Sequence, residues 1–174
     1  MSEDAVTQAS TRAASALSQY GGCSQAVLGA LQEVFGIGDV ESFRAGTILS
    51  AGVARRGETC GAIIGALMAL GVARGRSQMS DKQAYSQAMD DAQDVVEAFK
   101  SGVERHFNLS TPLQATMCPE IQTGIYGRSF RFTEPSERTA FNDAGGHGPN
   151  GCAAVCGIAA AAAARKILEV RQGC

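Results

Sequence analysis

Between Lys82 and Phe107 apolar side chains return every three or four residues: Tyr85, Met89, Ala92, Val96, Phe99, Val103 and Phe107. Only an α-helix gathers such a series on one face. The stretch therefore predicts one long helix with a core-facing stripe, capped by Ser80 or Asp81. A helix of that length needs helical partners to cover it. Val6, Ala9, Ala13, Ala16, Leu17 and Tyr20 give a first helix, stopped by Gly21-Gly22. Val27, Leu28, Leu31, Val34 and Phe35 give a second from Cys23, ended by Gly36. Asp39 is placed to cap a third, from Val40 to about Ala54.

Two apolar runs, Cys60 to Ala73 and Gly151 to Ala164, supply two more helices. Both are shorter than the roughly 20 residues that span a bilayer, so they read as buried helices and no membrane insertion is expected. Their small residues allow helices to approach closely. A short segment runs from Thr111-Pro112 to Cys118-Pro119, and Thr123 to Gly151 shows no clear periodicity. The expected fold is all-α: a compact single-domain bundle of about six helices over residues 1–174, with a long irregular segment before the last helix.

Apolar residues make up 45% and charged residues 18% of the 174 residues, which is globular rather than disordered. The net charge of −2 leaves no electrostatic footprint for nucleic acid. The acidic opening Met1-Ser2-Glu3-Asp4 is unlike a secretory signal, so a reducing, cytoplasmic compartment is expected. Six cysteines in such a compartment point to metal binding or redox chemistry rather than structural disulfides.

The placement of those cysteines carries most of the information. Cys23 follows Gly21-Gly22, Cys60 follows Gly57-Glu58-Thr59, Cys118 precedes Pro119, and Cys152 follows Pro149-Asn150-Gly151. Each lies at or beside an expected helix start, with Asn150 the expected cap of the last helix. First-turn N–H groups are free and the helix dipole is positive there, which favours thiolate and would suit the anionic shell of an iron–sulfur cluster. Arg55 and Arg56 would add positive charge near Cys60. Cys156 lies one turn beyond Cys152 and serves as a fifth ligand, a resolving thiol or packing. His147, in the glycine loop before Cys152, is a candidate ligand or proton donor. Cys174 and His106 are assigned no role. The chain has no C-x-x-C pair, which argues against a thioredoxin-like site or a zinc ribbon. It also has no C-x-x-C-H, so no haem is expected.

These residues resemble the family of redox-active proteins named for its spaced cysteines, the C-GCAxxG-C-C family. Cys60-Gly61-Ala62-Ile63-Ile64-Gly65 is similar to its central motif and Gly22-Cys23-Ser24-Gln25-Ala26-Val27 to its first cysteine segment. Cys118 and Cys152 are similar to the third and fourth cysteines. The family resembles the iron–sulfur part of split-Soret cytochromes, which are dimeric electron carriers. The resemblance implies an iron–sulfur cluster held by Cys23, Cys60, Cys118 and Cys152, with Cys156 or His147 in reserve. It also implies electron exchange with a redox protein partner, and a homodimer. A thiol–disulfide redox protein or sensor is the alternative, with Cys60 as the reactive thiol; soft-metal (zinc) binding is a weaker one. No catalytic triad, phosphate loop or carboxylate pair indicates a classical enzyme.

Overall fold

The computed structural model describes residues 2–173. Eight α-helices follow one another: α1 Ser2–Tyr20, α2 Cys23–Phe35, α3 Val40–Ala45, α4 Gly61–Arg74, α5 Lys82–Phe107, α6 Cys118–Tyr126, α7 Pro135–Asp143 and α8 Cys152–Gln172. No strand occurs among the described residues; Thr59 and Met117 form one isolated antiparallel bridge. No helix among them is long and apolar enough to cross a membrane.

The centre of the fold is α8. It buries Ala153, Val155, Cys156, Ala159, Ala160, Ala163 and Ile167, residues that point to several sides of the helix. A helix apolar all round is one enclosed by neighbours, and α8 lies against α1, α2, α4 and α5. Alanine makes that enclosure tight. Where α1 crosses, even alanine is too large: a Cβ on Gly157 would stand 3.0 Å from Ser10 Oγ and 3.2 Å from its carbonyl oxygen. Leu17, Leu28, Leu31, Ile63, Leu70 and Phe99 complete the core with almost no exposure.

Charges hold α5 to its neighbours. Arg74 Nε meets Asp91 Oδ2 at 2.9 Å. Lys166 Nζ lies 2.8 Å from both Asp94 and Glu169, and these partners raise its pKa. Asp81 caps α5, accepting the Ala84 N–H at 2.9 Å. The long stripe is buried only in part: Phe99 and Val103 are fully covered, with Val95 beside them. Tyr85 and Met89 are 48% and 46% exposed, because the helix runs past the bundle at its N-terminal end.

The expected third helix is cut short. Asp39 caps α3 as expected, with Ser42 N–H donating to Asp39 Oδ1 at 2.8 Å. The helix nonetheless stops at Ala45, and a single 3-10 turn follows over Thr47–Leu49. The expected irregular segment is more ordered than its sequence suggests. The helix start expected at Cys118-Pro119 continues as α6 to Tyr126, and α7 occupies Pro135–Asp143. These two helices raise the count from about six to eight.

Candidate functional site

Four helix starts turn towards one another. Cys23 is the first residue of α2 behind Gly22, whose φ of 70° is left-handed. Cys60 is the residue capping α4, and Cys118 opens α6 with Pro119 next to it. Cys152 opens α8 behind Gly151, which takes the cap position expected of Asn150. These four sulfurs, with Cys156 one turn along α8, line one cavity of about 630 Å³, and His147 also borders it. All five described cysteines are free thiols. Cys174 lies outside the described residues.

Backbone contacts fix this convergence. The Thr59–Met117 bridge ties two cysteines together: Cys60 N–H donates to Thr116 O at 2.8 Å and Cys118 N–H to Glu58 O at 2.9 Å. Gly61 then admits Cys23, since a Cβ there would stand 2.5 Å from Cys23 Sγ. One turn on, a Cβ at Gly65 would overlap the Ser24 carbonyl. The glycines of Cys60-Gly61-Ala62-Ile63-Ile64-Gly65 are therefore the surface on which the start of α2 rests. Gly151 does the same for α6: a Cβ there would stand 2.5 Å from Tyr126 Oη.

A left-handed turn forms the wall beside Cys23. Ala51, Gly52, Val53, Ala54 and Arg55 carry φ of 56°, 67°, 55°, 51° and 65° in succession. Four of the five are not glycine, and each such residue costs roughly 1–2 kcal/mol. Glu58 N–H to Gly52 O at 2.8 Å and Ala54 N–H to Ile48 O at 2.8 Å close the turn. The Ala51 N–H presented by this turn works against the rise that burial gives the Cys23 pKa. Ser24, fully buried, donates to Gly46 O at 2.6 Å and lies 2.7 Å from Ser50 Oγ, holding that hydroxyl in place.

Two other sulfurs receive side-chain donors. On α6 the residues Cys118, Gln122 and Tyr126 fall four apart, on one face. Gln122 Nε2 donates to Cys118 Sγ at 3.5 Å, while its Oε1 accepts the Phe130 N–H at 2.8 Å. The Tyr126 hydroxyl accepts the Cys152 N–H at 3.1 Å and lies 3.7 Å from Cys152 Sγ. Sequence reasoning assigned no role to Gln122, Ser50 or Tyr126, and quoted Ser24 only as part of the first cysteine segment. The four-residue spacing from Cys118 was the available signal, hidden by ending the segment at Pro119.

The thiols are not acidic. The expectation that helix starts would lower their pKa is overturned. Burial pushes Cys60 well up, and the neighbouring Cys23, Cys118 and Cys152 push it further. Cys118, Cys23 and Cys156 are raised for the same first reason, and Cys152 is pushed up to about 12 despite the Tyr126 hydroxyl. The magnitudes explain the outcome. A helix N-terminus contributes roughly 0.3–1 kcal/mol, under one pKa unit. Full burial moves a pKa by up to about 3–5 units.

The outer wall comes from α7 and the loop after it. Phe132, Arg138, Phe141 and Asn142 line the cavity, as does Arg55; the neighbouring Arg56 is exposed and lies off it. Arg138 Nη1 donates to Phe132 O at 2.7 Å. The His147 ring packs edge-on to Phe141 at 5.2 Å, and desolvation lowers its pKa, favouring neutral imidazole. Among the described residues no three His, Cys, Asp or Glu side chains are grouped to hold a single metal ion. The sulfurs surround a space rather than meeting at a point.

A helical framework that turns four helix starts and five thiols onto one cavity defines a cysteine-centred all-α protein. Residues 22–169 match the family described as "Putative redox-active protein (C_GCAxxG_C_C)", and the chain belongs to that family. No curated protein and no solved structure matches the chain.

Proposed function

We propose that the chain carries electrons on an iron–sulfur cluster, with Cys23, Cys60, Cys118 and Cys152 as its ligands. The observation that carries the reading is the sulfur-lined cavity of about 630 Å³, into which these four cysteines enter from four separate helix starts. The residues fit such a group in their chemistry. They offer thiols as ligands, hydrogen-bond donors to sulfur, glycines that admit close approach, and arginines at the rim. A cluster bound there would supply one-electron transfer. The chain's own residues shield the site with Phe132 and Phe141, fix each sulfur by its helix start, and give up thiol protons when metal is taken up.

The raised thiol pKa values separate this reading from its alternative. A thiol–disulfide protein needs an accessible thiolate of lowered pKa, whereas Cys60 is buried and raised. Metal coordination deprotonates a thiol outright, so buried neutral thiols are compatible with ligands. A lone zinc ion would need its ligands about 2.3 Å from one centre, and a polynuclear cluster spreads them over a wider cage. The same reading takes residues 1–174 as one redox domain in a reducing cytoplasm, working with a protein redox partner and as a homodimer. Those parts rest on the family resemblance and the free thiols.

Anaerobic reconstitution with ferrous iron and sulfide tests the proposal. The expected product is a coloured protein with stoichiometric iron and acid-labile sulfide, lost in the Cys60→Ala variant. Colourless protein without iron refutes it. A defined cysteine pair that oxidises and reduces reversibly, seen by mass spectrometry in iron-free protein, would favour the thiol–disulfide reading.

A further inference from the structure

The five sulfurs are not equivalent. The Ala51 N–H acts on Cys23 and the Ala62 N–H on Cys60, each lowering a pKa that burial raises. Cys118 accepts from Gln122 Nε2, and Cys152 faces the Tyr126 hydroxyl. Cys156 stands apart: it is fully buried, and among the described residues no hydrogen-bond donor is directed at its sulfur. Instead its S–H points to the Cys23 carbonyl, 3.9 Å away.

Resting on the iron–sulfur reading above, we propose that Tyr126 and Gln122 are positioning residues that set the reduction potential of the centre through hydrogen bonds to Cys152 and Cys118, and that Cys156 is a neighbour of the centre rather than a ligand. The Tyr126 hydroxyl has one proton and two acceptors within reach, Gly146 O at 3.2 Å and Cys152 Sγ at 3.7 Å. A neutral thiol competes poorly with a carbonyl. A sulfur carrying negative charge competes well, because hydrogen bonds to ionised acceptors are roughly twice as strong. Reduction adds one electron, and the added negative charge spreads onto the sulfurs. A donor on sulfur therefore favours the reduced form and raises the potential. Gln122 works the same way with less freedom, since Phe130 N–H holds its oxygen and leaves the amide nitrogen aimed at Cys118.

Tyr126→Phe is a clean test. Without the hydroxyl, the Cys152 N–H keeps Gly146 O as acceptor at 2.9 Å, so no buried donor is orphaned. The experiment is a dithionite titration of reconstituted protein followed by electron paramagnetic resonance, with iron and sulfide measured on each sample. Tyr126→Phe should hold the same iron as wild type and shift to lower potential. At a fixed potential its reduced-to-oxidised ratio should fall about tenfold, or about 59 mV for a one-electron couple. Gln122→Met should shift in the same direction, whereas Tyr85→Phe on α5 and Cys156→Ala should leave iron content and potential unchanged. Wild-type protein that takes up no iron sinks the function reading and this inference with it. Loaded Tyr126→Phe and Gln122→Met at the wild-type potential overturn this inference alone. So does loss of iron from both, which would make them structural, and loss of iron from Cys156→Ala removes the assignment of that residue.

Discussion

Two glycines on α4 permit a matched test of the packing that builds the site. Gly65 and Gly71 lie on the same helix, and neither has a left-handed φ. A Cβ at Gly71 meets nothing within 4 Å. A Cβ at Gly65 overlaps the Ser24 carbonyl and stands 3.0 Å from its carbon and 3.2 Å from its Cα. Those are backbone atoms of a residue pinned at Gly46 and Ser50, so they cannot swing aside. Alanine gains roughly 1 kcal/mol over glycine in a helix interior, and that gain applies to both positions. Gly71→Ala should therefore stabilise by about 0.5–1 kcal/mol. Gly65→Ala carries the same gain minus an overpacking cost of roughly 1–3 kcal/mol. Comparing the two variants cancels the shared gain and leaves the steric cost alone. For a chain of this size 1 kcal/mol moves the melting temperature by roughly 2–4 °C. The predicted gap is roughly 2–12 °C, with Gly71→Ala above wild type. The assay is thermal unfolding of reduced, metal-free protein by circular dichroism, since a bound group would add its own stabilisation. If Gly65→Ala melts at or above Gly71→Ala, then α2 and α4 do not meet backbone to backbone, and the explanation of the glycines around Cys60 fails.

Other outcomes follow from the strained turn and from the raised thiols. Ala54 is exposed with φ 51°, so Ala54→Gly relieves backbone strain and should stabilise by about 1 kcal/mol, or roughly 2–4 °C in thermal unfolding; a lower melting temperature would contradict the strain. In metal-free protein the folded thiols keep their protons after unfolded ones, with a pKa of about 8.5, have lost them. Stability is then complete below about pH 8.5 and falls as pH rises from there towards the folded values, such as about 12 for Cys152. Melting temperatures should drop between about pH 8 and about pH 10, less steeply in Cys152→Ser; a flat profile would mean the thiols are not held neutral. Alkylation with iodoacetamide should be slow at neutral pH in the folded protein and fast in denaturant, whereas equal rates would place the sulfurs in solvent.

What the sequence could disclose depended on whether a structure is set locally. The helices α1, α2, α4, α5 and α8 were legible because periodicity and capping act within a few residues. The stretch from Val40 to Ala54 misled because Gly46 and Gly52, poor helix formers, were read through, although α3 ends just before Gly46. Nothing in Ala51, Val53, Ala54 or Arg55 announces a left-handed turn, because non-glycine residues adopt it only under tertiary constraint. Segment α7 is short and amphipathic only weakly. Its Phe141 is buried among Tyr126, Phe130, Phe132 and His147, which come from other segments.

The site shows the same division at the level of single groups. Cys23, Cys60, Cys118 and Cys152 were visible because a helix start is a local property. Their acidity was misjudged because burial is not local. The feature expected to lower each pKa acts through the first turn alone, while burial against the surrounding helices and the neighbouring thiols raise it. That difference bears on chemistry. A thiol activated by its own helix would react by itself, one cysteine at a time. Thiols raised by burial and by one another are coupled, because charge on one opposes charge on the next, as Cys60 feels from Cys23, Cys118 and Cys152. On the iron–sulfur reading, a positive centre shared between them relieves these penalties together. Loading such a centre should therefore release protons nearly in concert, and removing one cysteine should weaken the hold of the rest by more than its own share.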